Sequence, residues 1–174
     1  MKKSEIIKTL KANKKISDYE LTIINKDSRE LFYVLDHLEI NRAVKIDSAT
    51  IRVYVSDKKT TGSSMVMLTA ADDEKSLARK LRDAVTRAKA ARNQYYPLTE
   101  KTENIKDEKK NRQDLNLVAT KIAEAVLKAD HYRNGWINST EIFVSNIKEE
   151  LINSKGVDHV SEYFKVAIEC IPTW

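Results

Sequence analysis

The chain is short of the residues that build disulfide-stapled, nucleotide-cradling or membrane-spanning proteins. It has one cysteine, two prolines and three glycines in 174 residues. A lone cysteine, Cys170, excludes an internal disulfide and fits a reducing compartment. Gly62, Gly135 and Gly156 stand singly, which excludes a P-loop and a dinucleotide fingerprint, because both need clustered glycines. No apolar run approaches the roughly 20 residues that cross a bilayer. The opening MKKSEIIKTLKANKK lacks the apolar centre and small-residue cleavage site of a signal peptide. The expectation is a cytoplasmic chain without a membrane partner.

What is present is a balanced mixture, with 41% hydrophobic and 33% charged residues. That composition supports a packed core and is unlike that of disordered chains. At roughly 150 residues per domain, the length allows one large domain or two small ones. The net charge of +5 permits acidic or nucleic-acid partners, but argues for them only if the basic residues share a face.

Periodicity divides the chain into two helix-plus-antiparallel-sheet units, an α+β class. Ile6, Ile7 and Leu10 repeat at helical spacing behind a Ser4 cap. YELTII (19–24) and RELFYVL (29–35) flank turn-forming Asn25-Lys26-Asp27-Ser28, which predicts a hairpin. In ATIRVYV (49–55), Ile51, Val53 and Val55 alternate with Arg52 and Tyr54 as a half-buried strand does. SSMVMLT (63–69) follows. Asp72-Asp73-Glu74 opens a helix whose Leu77, Leu81, Ala84, Val85, Ala88 and Ala91 share one face. Asn93 and Pro97 end it. We place an N-terminal α+β domain at 1–97, a polar linker or loop at 98–112, and a second unit at 113–174. That unit holds a helix from about Asp114, the segments TEIFVS and EELIN, and a strand from Ser161 to Cys170.

Two phrases echo each other: SRELFYVLDHLEIN (28–41) and STEIFVSNIKEELIN (139–153). Each reads Ser, any residue, Glu, an aliphatic, Phe, and closes on Asn. Either two meanders share composition by chance, or one unit has been duplicated; short matches do not decide between these.

Chemistry-bearing residues are sparse. His37, His131 and His159 are far apart, and none forms the i, i+4 pair of a helical zinc site. Ser63, Ser64 and Cys170 lack the strand-turn-helix setting of an activated nucleophile. Cys170, on an apolar strand face, reads as buried and inert. Helix capping explains the acids at 72–74. Lys75, Arg79, Lys80, Arg82, Arg87, Lys89 and Arg92 wrap the whole solvent side of helix 75–92, which argues against a nucleic-acid stripe. No catalytic, metal or cofactor-binding residue is assigned, and the binding residues are unknown.

Taken in order, DYELTIINKDSRELFYVLDHLEINRA, the alternating TIRVYV, the strand at Gly62 and the helix ending AKAARNQYYPL resemble the N-terminal domain of the TldD/PmbA family. Its members were once described as modulators of DNA gyrase and are now regarded as zinc metallopeptidases or their partners. STEIFVSN, INSKGVD and the closing IPTW resemble the start of the family's next, central domain, which 113–174 would only begin. The resemblance covers nearly the whole chain and rests on the order of loose motifs, not on a catalytic signature. Catalytic members carry a His-Glu-x-x-x-His zinc motif beyond the matched region, and nothing in this chain corresponds to it. The resemblance therefore implies a non-catalytic portion of a peptidase or peptide-maturation protein. Its partners would be a peptide or unfolded-polypeptide substrate and a family member in a homo- or heterodimer. Zinc would belong to the full-length protein, with no cofactor in this chain. Whether the parent is an enzyme stays open. The alternative is a stand-alone interaction or nucleic-acid-binding module of gyrase-modulator type, acting through helix 75–92.

Overall fold

A computed structural model describes residues 1–101, 112–131 and 133–174. In chain order these residues form α1 (Lys3–Ala12), β1 (Asp18–Val34), β2 (His37–Ser56), β3 (Thr60–Leu68) and α2 (Glu74–Ala90). Then come β4 (Asn93–Gln94), α3 (Leu115–Ala129), β5 (Trp136–Asn153) and β6 (Asp158–Thr173). The strands lie antiparallel in the order β4-β3-β2-β1-β5-β6, so the α+β class expected from periodicity holds. Most of the polar tract expected as a linker, residues 102–111, lies outside the described residues. Two compact units interleave along the chain. One comprises Met1–Ile24, Asp47–Asp107 and Glu149–Val160, the other Asn25–Ile46, Glu108–Lys148 and Ser161–Trp174.

The expected hairpin at 25–28 does not form: β1 continues through Asn25-Lys26-Asp27-Ser28 without a break. These polar residues sit where β1 leaves one unit and enters the other: Asn25 is exposed, Lys26 and Asp27 are half-buried, and Ser28 is buried against Ser145. Tyr19, Leu21 and Leu31 share the odd positions and are all buried, while beyond the segment Ser28 and Glu30 on the other side of the strand are buried as well. The chain reverses later, at Leu35-Asp36, where Leu35 takes a left-handed φ of 54°. A bulky residue disfavours that conformation, so composition could not mark the turn. TEIFVS and EELIN likewise merge into the single strand β5.

In the first unit, α1 starts one residue before the expected Ser4 cap. The Glu5 carboxylate reaches back to accept the Lys2 N–H at 2.8 Å. In α2 the cap is Asp73, whose Oδ1 accepts the Ser76 N–H at 2.8 Å. Its buried face of Leu77, Leu81, Ala84, Val85 and Ala88 is the one periodicity identified. Leu77, Leu81 and Ala84 close the core over Leu21, Ile51, Val53 and Val66. On β3, Gly62 lies so close to the end of α2 that a Cβ there would meet the carbonyl oxygens of Ala88 and Ala91. Leu98 is buried, and Thr99 O accepts from Asn153 Nδ2 at 2.8 Å, which ties the start of the polar tract to the end of β5.

In the second unit, Asp114 caps α3 through the Leu117 N–H at 3.0 Å. The residues buried on α3 are Ala119 and Ala123, and the larger Leu115, Val118 and Ile122 pack half-buried around them. Small side chains at the centre let the helix axis approach the sheet closely. Opposite them lie Leu31 of β1 with Ile142 and Val144 of β5. The sequence echo is resolved here. Leu31 and Ile142, the fourth residues of the two phrases, share this core. Phe32 and Phe143, the fifth, meet edge to face with centroids 5.6 Å apart. The first phrase crosses the β1–β2 turn, whereas the second stays within β5, so the two do not build the same meander.

Candidate functional site

The residues that sequence offered for chemistry do not converge. His37 is exposed beside Asp36, 3.4 Å away. Ser64 Oγ accepts from Arg87 Nε at 3.0 Å, a cation and not a base. Among the described residues, no three His, Cys, Asp or Glu side chains are grouped to hold a metal. The acids before α2 are structural. Asp72 accepts from Lys80 Nζ and the Thr69 N–H, each at 2.7 Å, and from Ser76 Oγ at 2.9 Å. These bonds, Lys80 first, hold its carboxyl far below the ordinary range. Tyr54 donates to Glu20 at 2.6 Å, and burial with this bond pushes the phenol well above its usual range, removing it as an acid near neutrality.

Cys170 corrects the sequence reading. It is exposed, not buried. Among the described residues, of the face expected to hold Phe164, Val166, Ile168 and Cys170, only Phe164 packs against the core, and Val166, Ile168 and Cys170 are exposed.

A polar cluster in the second unit is closed on itself. Arg42 Nε bonds Glu30 Oε2 at 2.8 Å while its guanidinium lies 5.2 Å above the Phe32 ring. Ser28 and Ser145 hydroxyls meet at 3.0 Å. Among the described residues no buried side-chain nitrogen or oxygen lacks a partner. A cleft of about 200 Å³ beside α3 is lined by Arg29, Tyr33, Asn41, Thr120 and Glu124 with apolar neighbours, and is too small for more than a fragment of a ligand.

The clearest asymmetry is between the outermost strands. β4 has two residues and pairs with Thr60 and Thr61 alone, which leaves the rest of β3 beside α2. There Lys80 Nζ donates to Met67 O at 3.0 Å and Arg87 Nη2 to Met65 O at 3.3 Å. Two helix cations thus occupy strand carbonyls that could otherwise recruit another strand. At the other end of the sheet β6 is 16 residues long and, among the described residues, follows β5 as the last strand in the order. Val166, Ile168 and Ile171 are 38%, 47% and 57% exposed. A long, apolar, exposed edge is a pairing surface. The sequence signal for it was the Val-Ala-Ile run flanked by Lys165 and Glu169.

No family model matches the chain, and no curated protein sequence matches it. Solved structures do. TldE from Thermococcus kodakarensis superposes with a TM-score of 0.65 at 15% identity, covering 97% of this chain and 42% of that one. A candidate modulator of a DNA gyrase from Thermotoga maritima gives 0.67 at 12% identity, covering 98% and 38%. A third, a candidate modulator of DNA gyrase from Bacteroides thetaiotaomicron, gives 0.52 at 11% identity, covering 95% and 38%. The class is thus settled at the level of fold: nearly the whole chain has the fold of a portion of TldE and of these gyrase-modulator proteins. It spans about two fifths of their lengths.

Proposed function

We propose that this chain is a non-catalytic portion of a TldD/PmbA-type peptidase or peptide-maturation protein, and that it contributes to peptide access and dimer formation. The observation that carries this reading is the superposition of nearly the entire chain on TldE and the gyrase-modulator structures. The open β6 edge supports it, since an extended polypeptide or a second subunit can add to such an edge through main-chain bonds. Zinc and hydrolysis would lie with residues outside this chain. The test has two arms. The chain is titrated into a labelled, unfolded polypeptide while anisotropy is followed, and its mass is measured by light scattering. Binding or dimerisation is expected. A chain that does neither, or that hydrolyses peptides by itself until a chelator is added, overturns the reading.

A further inference from the structure

We propose that the cleft beside α3 receives the C-terminal residue of an extended polypeptide, with its carboxylate on Arg29 and its apolar side chain over Leu31, Ala119 and Ala123. This rests on the peptide-access reading above and gives it a site and a chain direction. The cleft is enclosed by β1, β2 and α3 within one unit. It exists because α3 presents alanines where larger residues would fill the space. Ala119 and Ala123 are buried over Leu31, and about 200 Å³ is left beside them. A hollow of that size with an apolar floor takes one side chain and little more.

Its two ends carry opposite charge. Arg112 Nη2 donates to Asp27 Oδ2 at 2.6 Å and the Gln113 N–H to Asn146 Oδ1 at 3.0 Å, which ties the start of α3 beside Asp27 of β1. Beyond its other end the Ile137 N–H donates to Asp130 Oδ2 at 3.0 Å, next to Asn138, whose carbonyl accepts the Leu35 N–H. α3 and β1 therefore run the same way. Arg29 and Asn116 lie at one end of the cleft, and Glu124 lies about 12 Å further along the helix at about 1.5 Å per residue. Arg29 is half-buried and, among the described residues, makes no hydrogen bond or ion pair, whereas Arg42 in the same unit holds Glu30 at 2.8 Å. A guanidinium drawn partly out of water gains most from a carboxylate, which it grips through two parallel N–H bonds. The Asn116 amide can add a further donor at that end. Glu124 repels a carboxylate, so the acid end sits at Arg29 and the rest of the polypeptide leaves past Glu124.

The experiment compares two short labelled peptides ending in two leucines, one with a free carboxylate and one amidated, by anisotropy against the whole chain. The free acid should bind about tenfold more tightly than the amide. Arg29→Met should erase that difference, and because Arg29 has no partner in the fold, the urea midpoint should stay at the native value or rise. Equal binding of acid and amide, or an R29M chain that still prefers the acid, overturns the inference and leaves peptide access standing. The same holds if neither peptide binds to a chain that still takes up an unfolded polypeptide. A lowered R29M midpoint would make Arg29 a structural residue, and displacement of the peptide by isovalerate at equal concentration would assign the cleft to a free small acid; either overturns the inference. A chain that binds neither the peptides nor the unfolded polypeptide removes the access reading as well.

Discussion

At the scale of single residues, Gly62 is the least replaceable position in the first unit. Its Cα hydrogen faces the carbonyls of Ala88 and Ala91 at the last turn of α2, so any side chain must push backbone, which yields less readily than a side chain. Gly62→Ala should destabilise by about 2–3 kcal/mol, read as a lowered midpoint in urea unfolding with an unchanged slope. An unchanged midpoint would mean that α2 does not rest on β3 as described. Sequence reading marked Gly62 only as a lone glycine in a strand, because the need for glycine comes from the far end of α2, distant along the chain though close in space. Cys170 failed for a related reason. Alternation correctly put it on the face of Phe164, but periodicity cannot tell how far a covering helix extends. Conversely, Leu31, Ile142, Phe32 and Phe143 were legible as a repeated phrase, and contact across β1 and β5 explains the likeness.

At the scale of elements, helices were more legible than strands. The capping acids and 3.6-residue repeats set α2 and α3 to within a residue or two, because caps and stripes are local properties of a helix. Strand ends were not local. Asn25–Ser28 has turn composition yet stays extended because the ladder partners on either side hold it so, and the true turn uses Leu35. The β3–α2 connection offers a prediction of its own. Asp72 is held ionised by Lys80, Thr69 and Ser76, so its folded pKa lies below the unfolded value of about 4. Stability from this group is therefore fully present above about pH 4 and is lost as pH falls through that value towards the depressed one. The native chain should lose thermal stability on acidification below about pH 4, and Asp72→Asn should start less stable at neutral pH and show a shallower acid decline. Parallel curves for the two proteins would remove Asp72 as a contributor.

At the scale of the whole molecule, the net charge of +5 invites a nucleic-acid reading that the placement of charges weakens. Lys80 and Arg87, two of the cations on α2, are engaged by β3 carbonyls. Lys75, Arg79, Arg82 and Lys89 remain exposed but spread around the helix. We expect R79E/R82E to leave retention on immobilised DNA unchanged at physiological salt, measured against the native chain across a salt series. A steep loss would favour the module reading over the peptidase-related one. Composition and order of motifs were enough to suggest the class of fold that the solved structures share, and the described residues supply the edges, caps and close contacts that no single stretch of sequence encodes.

The unbroken phase of β1 limits how the chain could change in length over time. Adding one amino acid between Asn25 and Ser28 would invert every later position, exchanging the places of Leu31, buried under α3, and Glu30, buried against Arg42. Adding two would merely lengthen the ribbon. The segment that looks most permissive by composition should therefore admit insertions and deletions only in pairs.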